Sequence, residues 1–206
     1  MQFSSALLES AVNEFSKLPG IGKKTALRLV LHLLKQETGD VQQFSEVVAR
    51  MRSDIKFCQR CHNVADADIC SICSNSMRKQ DVICVVENIR DVIALESTQQ
   101  FNGTYHVIGG VISPLDGIGP SQLNIGSLLH RVQKEHTIEL IFALSPTIQG
   151  DTTIYYIQKK LEPQNIRITT IARGIAFGGE LEYADEMTLA RSLQNRLPIE
   201  NYISNR

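Results

Sequence analysis

The sequence predicts a multi-domain α/β protein with a helical N-terminal part, a four-cysteine knuckle, a mainly parallel sheet flanked by helices, and a C-terminal helical tail. Three observations predict this fold class. Residues 4–16 and 23–36 carry apolar side chains at helical spacing. Four cysteines lie within 58–73. From residue 81 onward, apolar runs alternate with helical segments, a pattern typical of parallel sheets. We expect domains at 1–54, 55–79, 80–176 and 177–206.

Composition and charge narrow the function classes. The 206 residues are 43% hydrophobic and carry a net charge of −1, enough apolar content for a sizeable core. Residues 1–79 hold 11 Lys and Arg against 8 Asp and Glu, whereas 80–206 hold 10 against 14. We therefore expect a phosphate-binding face in the first part. With no membrane-length apolar run and no signal-like N-terminus, we expect a cytoplasmic protein without a membrane partner.

A glycine-rich turn separates the first two predicted helices. The turn reads Leu18-Pro-Gly-Ile-Gly22, and Pro and Gly break helices. The segment through Leu29 resembles a helix-hairpin-helix, in which backbone N–H groups at a helix N-terminus approach a DNA phosphate. The candidate DNA-binding residues are Gly20, Gly22, Lys23, Lys24 and Arg28. A plain helix–turn–helix joint with solvated lysines is the alternative.

A phosphate-binding P-loop is excluded at this turn. That pattern needs a glycine upstream of its Gly-Lys pair and Ser or Thr directly after it. Those two places hold Lys17 and Lys24, and a helix rather than a strand precedes the turn.

The cysteines occur as two C-x-x-C pairs, and the spacing predicts a metal site. The pairs are Cys58 with Cys61 and Cys70 with Cys73. Four thiolates complete the tetrahedral shell of a structural zinc ion and leave no open position for catalysis. The alternatives are two disulfides or four unrelated thiols, although paired cysteines without an export signal rarely form disulfides. Cys84, inside an apolar run, is expected to be buried.

The elements after the first two helices follow from the same periodicities. We predict a third N-terminal helix over 40–52. The predicted strands are 81–87, 105–112, 138–144 and 166–172. The predicted helices are 89–97, 121–134, 151–161 and a last one over 181–197, which Pro198 ends.

Polar residues follow two predicted strands at the edge where parallel-sheet proteins place their sites. Glu87 ends the first strand, and Ser145-Pro-Thr-Ile-Gln-Gly-Asp151 follows a later one. The layout resembles a Toprim domain, in which a Glu and an Asp-x-Asp pair hold magnesium. Here Ser145 and Thr147 fill the two Asp places, so only Glu87 and Asp151 remain acidic. We interpret Glu87 either as a structural strand-end acid or as a contact to a partner or DNA.

The order of these modules resembles the RecR family of bacterial recombination mediators over essentially the whole chain. The shared segments are Leu18-Pro-Gly-Ile-Gly22, the four cysteines, Tyr105-His-Val-Ile-Gly-Gly110, Ser113-Pro-Leu-Asp-Gly-Ile-Gly-Pro120, and the stretch from Ala172-Arg-Gly174 through Gly178-Gly-Glu-Leu-Glu-Tyr-Ala-Asp185. The resemblance implies a non-enzymatic, DNA-binding protein of recombinational repair. It would act with RecF and RecO to help load RecA at gaps and breaks.

The resemblance also implies an assembly and leaves two other functions open. Family members form homodimers and ring tetramers whose hole admits duplex DNA, and the hairpin cations would line that hole. The family commonly reads Asn-Pro-Thr-x-Glu-Gly-Glu where this chain has residues 145–151. One alternative is a degenerate magnesium-dependent Toprim enzyme that uses Glu87 and Asp151. Another is a scaffold whose hairpin serves only subunit packing.

Overall fold

The chain divides into two units, Met1–Ile55 and Lys56–Arg206. A computed structural model describes residues 3–164, 166–175, 178–196 and 198–199. The finer division into four domains stays a prediction. Its boundary at 176–177 lies outside the described residues, as do residues 200–206 of the predicted tail. Within the part of the chain that is described, none of the helices has the length and hydropathy needed to cross a bilayer.

The first unit consists of three helices, as predicted. They are α1 (Ala6–Ser16), α2 (Lys23–Leu33) and α3 (Thr38–Asp54). The Ser5 hydroxyl begins α1 by accepting a hydrogen bond from the Leu8 N–H. Helices α1 and α2 pack around a small buried core of Val12, Ala26 and Val30. This core fixes the orientation of the turn between the two helices.

The second unit begins with the cysteine knuckle. It contains a two-stranded antiparallel sheet, β1 (Lys56–Phe57) and β2 (Val64–Ala65), followed by the short helix α4 (Ser71–Ser74). The sequence did not predict these three elements, because they are too short to leave a periodic pattern.

A four-stranded parallel sheet follows, which confirms the predicted fold class. Its strands are β3 (Val82–Val86), β4 (Thr104–Val107), β5 (Glu139–Ala143) and β6 (Arg167–Thr170), in the order β4-β3-β5-β6. In the register, Val86 pairs with both Val107 and Ala143. The carboxyl ends of the three strands β4, β3 and β5 therefore meet at one edge of the sheet.

Helices cover both faces of the sheet. They are α5 (Ile89–Ser97), α6 (Ile125–Lys134) and α7 (Ile148–Leu161), with α8 (Glu186–Gln194) near the end of the chain. Alternate strand residues enter two cores, as the period of two requires. One core joins the sheet to α6 and α7 and includes Ile83, Val85, Leu128, Phe142 and Ile157. The other joins it to α5 and the knuckle and includes Cys84, Val86, Val92, Tyr105 and Val107.

Local structure explains three of the predicted boundaries that were wrong. The strand predicted over 105–112 ends at Val107, because Gly109 and Gly110 adopt positive φ angles of 87° and 147°. The helix predicted from 121 begins at Ile125, after a short 3-10 turn. The last helix, predicted from 181, begins at Glu186, where the Asp185 side chain accepts from the Thr188 N–H.

Candidate metal centre and nucleic-acid interface

The four cysteines of the knuckle come together in one buried cluster. Each is at most 5% exposed, and their Sγ atoms all lie within 4.8 Å of one another. Cys58 directly follows β1, whereas Cys70 and Cys73 lie at the start and inside α4. Of the residue groups that the structure describes, this is the set placed to hold a metal ion.

The cluster fits a structural zinc ion. Zinc–sulfur bonds of about 2.3 Å in a tetrahedron place sulfurs roughly 3.8 Å apart, and the Sγ atoms of Cys61 and Cys70 are 3.6 Å apart. All four are free cysteines, so the two-disulfide alternative does not describe this fold. With four thiolates in the shell, no ligand position is left for substrate, and the role of the ion is structural.

Two backbone N–H groups donate to sulfurs of the cluster, as they commonly do to metal-bound thiolates. The Cys70 N–H donates to Cys58 Sγ at 3.3 Å, and the Cys73 N–H donates to Cys70 Sγ at 3.4 Å. The pKa of the Cys70 thiol is lowered, first by its hydrogen bonds with the Cys61 and Cys73 side chains, whereas the pKa of the Cys61 thiol is raised, first by its hydrogen bond with Cys70. The buried Cys84 lies apart, and burial raises its pKa to about 12, which suits a core residue.

The hairpin turn of the first unit presents its backbone to solvent. Gly20 has a φ of +78°, which favours glycine there, and Gly22 stands at the N-cap of α2. Among the described residues, no side chain caps this helix end. A Cβ built at Gly22 would meet no described atom within 4 Å. The first N–H groups of α2 are therefore open to an anion.

The predicted cations lie beside this open helix end. Lys23, Lys24 and Arg28 are exposed, while Ala26 on the opposite side of α2 is buried. The ion pairs described in this unit join Lys17 to Glu14 and Arg50 to Asp54, so they leave the three cations available. The placement agrees with the predicted role without testing it.

The sequence pattern did not single out two basic residues, His32 in α2 and Lys35 just after it. A shallow surface groove is lined by Lys24, Leu27, Arg28, Leu31, His32 and Lys35. His32 follows Arg28 by four residues, the same spacing that separates Arg28 from Lys24, so they share one helix face. That spacing could have revealed His32 from the sequence.

At the carboxyl edge of the sheet, Glu87 has a backbone partner. Its carboxylate accepts a hydrogen bond from the Ser145 N–H at 2.6 Å, which joins the ends of β3 and β5. Thr147 caps α7, because its hydroxyl accepts from the Gly150 N–H at 3.1 Å. This cap begins α7 three residues earlier than predicted. These contacts favour the structural interpretation of Glu87.

The other remaining acid, Asp151, is held by arginines. Its carboxylate lies 2.9 Å from the Arg173 guanidinium and 3.9 Å from that of Arg191. The structure thus brings Glu87 to Ser145 but pairs Asp151 with two cations. Since Ser145 and Thr147 are neutral, the described residues form no carboxylate cluster of the kind that magnesium prefers at this edge.

Four family models match the chain in the order of its modules. They are the RecR helix-hairpin-helix over 8–52, the RecR four-cysteine zinc finger domain over 55–75, the Toprim domain over 81–172, and the RecR C-terminal region over 174–197. Together with the parallel sheet and the cysteine cluster, they define a zinc-finger protein that joins a helix-hairpin-helix to a Toprim domain. The predicted fold class is confirmed, including its zinc finger.

Curated relatives cover nearly the whole chain. The chain is 58% identical to Recombination protein RecR of Flavobacterium johnsoniae over 100% of both chains. It is 56% identical to the protein of that name from Bacteroides thetaiotaomicron, over 95% of each chain. The Porphyromonas gingivalis protein is 54% identical over 95% of this chain and 94% of its own. The chain belongs to the RecR family of recombination proteins, which supports a role in recombinational repair and DNA binding. The relatives' names mention no enzymatic activity.

Proposed function

We propose that the protein is a non-enzymatic DNA-binding mediator that acts with RecF and RecO to help load RecA at gaps and breaks. The observation that carries this proposal is the open N-terminus of α2, where Gly22 leaves backbone N–H groups without a side-chain cap. Lys23, Lys24 and Arg28 stand beside it without a described ion-pair partner. Such a site binds phosphate rather than bases, so it suits a protein that acts at gaps of any sequence.

The proposal includes assembly into dimers or ring tetramers. A single hairpin offers a few phosphate contacts, which gives weak and strongly salt-dependent binding. An assembly that presents several hairpins to one duplex multiplies these contacts through effective concentration. We expect weak binding by the protein alone and tighter binding with RecO. Since its partner is bacterial DNA, the proposal places the protein in the cytoplasm.

The absence of catalysis is the second part of the proposal. Magnesium-dependent DNA cleavage needs several carboxylates around the ions. Glu87 accepts a hydrogen bond from the Ser145 N–H, and Asp151 is paired with Arg173, so the described part of this edge offers no group of unpaired carboxylates. We therefore propose that the Toprim domain acts as a scaffold.

The test is fluorescence anisotropy on gapped duplex DNA across a salt series, with and without RecO. A variant with Lys23, Lys24 and Arg28 all changed to Ala should bind on the order of 100-fold more weakly at low salt. Its log–log salt slope should shrink by roughly 0.9 for each phosphate contact removed. RecO should improve binding by the wild type more than binding by the variant.

The control variant changes Lys17, Arg50 and Arg52 to Ala. It removes the same charge from exposed positions of the same unit. If both variants lose affinity equally, binding follows net charge and the hairpin is not the DNA site. If neither loses affinity, the hairpin serves packing, as the scaffold alternative holds.

A further inference from the structure

The zinc knuckle is bound to the sheet through an arginine inside its first cysteine pair. Arg60 donates two parallel hydrogen bonds to Glu135, from Nε to Oε1 and from Nη2 to Oε2, both 2.7 Å. Its Nη1 also donates to the Cys73 carbonyl at 3.0 Å and to the Gln80 side chain. One guanidinium therefore contacts a metal-ligating residue of the second pair and a carboxylate of the sheet domain.

Glu135 passes this contact on to the core. It caps the C-terminus of α6, and its Oε2 also accepts from Arg131 Nε at 2.9 Å. Arg131 is only 4% exposed and donates to the Tyr105 carbonyl and the Thr104 hydroxyl of β4, both at 2.7 Å. A continuous chain of hydrogen bonds thus runs from the second cysteine pair to an edge strand of the sheet.

The opposite charges of Glu135 and the two arginines stabilise this network of hydrogen bonds. Burial opposes ionisation of Glu135, but the hydrogen bonds from Arg60 and Arg131 outweigh it and lower the pKa of the carboxyl. Four thiolates around a divalent ion carry a net charge of −2. The Arg60 guanidinium lies beside them and offsets part of this charge, so the ion pair and the thiolate cluster favour each other.

The same edge strand contacts the knuckle directly. The Val107 N–H of β4 donates to the Cys61 carbonyl at 2.8 Å. The next knuckle residue, His62, contacts α6, because its Nε2 lies 2.8 Å from the Ser127 Oγ. Ile72 of α4 packs against the core that includes Val92. The knuckle therefore covers part of the outer edge of β4.

We propose that Arg60 and Glu135 are positioning residues of the metal centre, and that they couple zinc binding to the folding of the sheet. Zinc bound to Cys61 and Cys73 would fix the positions of the Arg60 backbone and the Cys73 carbonyl, so that the Arg60 guanidinium reaches Glu135. Glu135 would in turn keep this guanidinium beside the thiolates. By linkage, each event strengthens the other to the same degree. Loss of zinc then loosens β4, and loss of the ion pair weakens zinc binding.

The test measures zinc affinity of the full chain by competition with a chromophoric chelator, and thermal unfolding with and without zinc. Glu135→Gln should lower zinc affinity by about 10- to 100-fold, the effect typical of residues that hold metal ligands in place. The rise in Tm that zinc gives should also be smaller in this variant than in the wild type. Arg60→Lys, which keeps the charge but loses the two-pronged contact, should lower zinc affinity as well.

Two matched controls separate this coupling from general destabilisation. Glu96→Gln removes the partly buried two-pronged ion pair with Arg78, which lies in the same unit and has no described hydrogen bond to a cysteine, although Glu96 also accepts from the Tyr105 hydroxyl of β4. Asp68→Asn removes the exposed ion pair with Lys56 inside the knuckle. Glu96→Gln should lower Tm without changing zinc affinity, and Asp68→Asn should change neither.

Unchanged zinc affinity in Glu135→Gln and Arg60→Lys would overturn the proposal, even if Tm falls as it does in Glu96→Gln. If Glu135→Gln fails to fold, Arg60→Lys alone decides by its zinc affinity. Equal losses of zinc affinity in Glu96→Gln would also overturn it, because the effect would then follow stability and not the ion pair.

Discussion

The hairpin turn and the carboxyl edge of the sheet are both places where secondary structure ends and polar groups become available. At the hairpin, the N–H groups that begin α2 have no side-chain cap among the described residues, and Lys23 and Lys24 lie exposed beside them. At the sheet edge, Glu87 accepts from Ser145 and Asp151 is paired with Arg173. Binding capacity remains where the groups are unpaired, whereas the paired groups stabilise the fold.

The largest expected effect tests the close packing of α7 against the loop that follows β5, at the carboxyl edge of the sheet. Gly150 of α7 is buried, and a Cβ there would overlap the Ser145 carbonyl oxygen. Gly150→Ala should therefore lower the free energy of unfolding by about 2–3 kcal/mol, as overpacking does. The measurement is urea denaturation, with Gly126→Ala in α6 as control, since a Cβ there meets no described atom within 4 Å. Equal stability of both variants would mean that the edge yields easily.

The next effect separates stability from binding at the hairpin. Gly22 has φ −81° and ψ 164°, the extended conformation that an N-cap serine adopts. Gly22→Ser should raise the stability of the unit by a few tenths of a kcal/mol, because the hydroxyl caps α2. It should weaken DNA binding about three- to tenfold, because the same N–H groups lose their access to phosphate.

Thermal unfolding measures the expected gain in stability, and fluorescence anisotropy on the same preparation measures the expected loss of DNA affinity. Gly39→Ser, at an exposed position of α3, is the matched control and should leave DNA affinity unchanged. Tighter or equal DNA binding by Gly22→Ser would show that the open helix end does not contact phosphate.

A smaller effect is expected for Glu87. Glu87→Gln weakens an exposed charge-assisted hydrogen bond to the Ser145 N–H, which the amide oxygen can still accept, and should cost about 0.5 kcal/mol of stability. DNA affinity should stay the same if the acid is structural. Chemical denaturation and anisotropy check the two expectations, and a marked change in DNA affinity at unchanged stability would restore the contact interpretation of Glu87.

The smallest effect concerns magnesium. Calorimetric titration with Mg²⁺ should give the same heats for the wild type and for Asp151→Asn, because Asp151 is paired with arginines and belongs to no carboxylate cluster among the described residues. Saturable binding that disappears in the variant would instead support the alternative of a magnesium-dependent enzyme. A plasmid-nicking assay with the wild type and Glu87→Gln would then decide between the non-enzymatic mediator and the magnesium-dependent enzyme.

The sequence predicted the parts of the protein that depend on neighbouring residues. The cysteine pairs and the Leu18-Pro-Gly-Ile-Gly22 turn are short local patterns, and their clustering and geometry agree with the prediction. Parallel strands were recognised because each is a buried apolar run. The starts of helices α7 and α8 were predicted wrongly, because the Thr147 and Asp185 side chains begin these helices through hydrogen bonds that periodicity does not show.

Contacts between distant residues were not predictable in this way. Arg60 and Glu135 are 75 positions apart, and nothing in either local sequence indicates the other. The pairing of Asp151 with Arg173 is similar, because the two residues are 22 positions apart. Both pairs arise from the packing of complete elements, and a single sequence does not contain that information in a local form.

The hydrogen bond between the Val107 N–H and the Cys61 carbonyl has a consequence for handling the protein. Strand β4 lies at the edge of the sheet, and an uncovered edge strand is a template for pairing with other chains. The knuckle covers part of this edge, and zinc would hold the knuckle folded. We therefore expect chelators to promote β-sheet aggregation of the protein, so that the zinc finger protects solubility as well as shape.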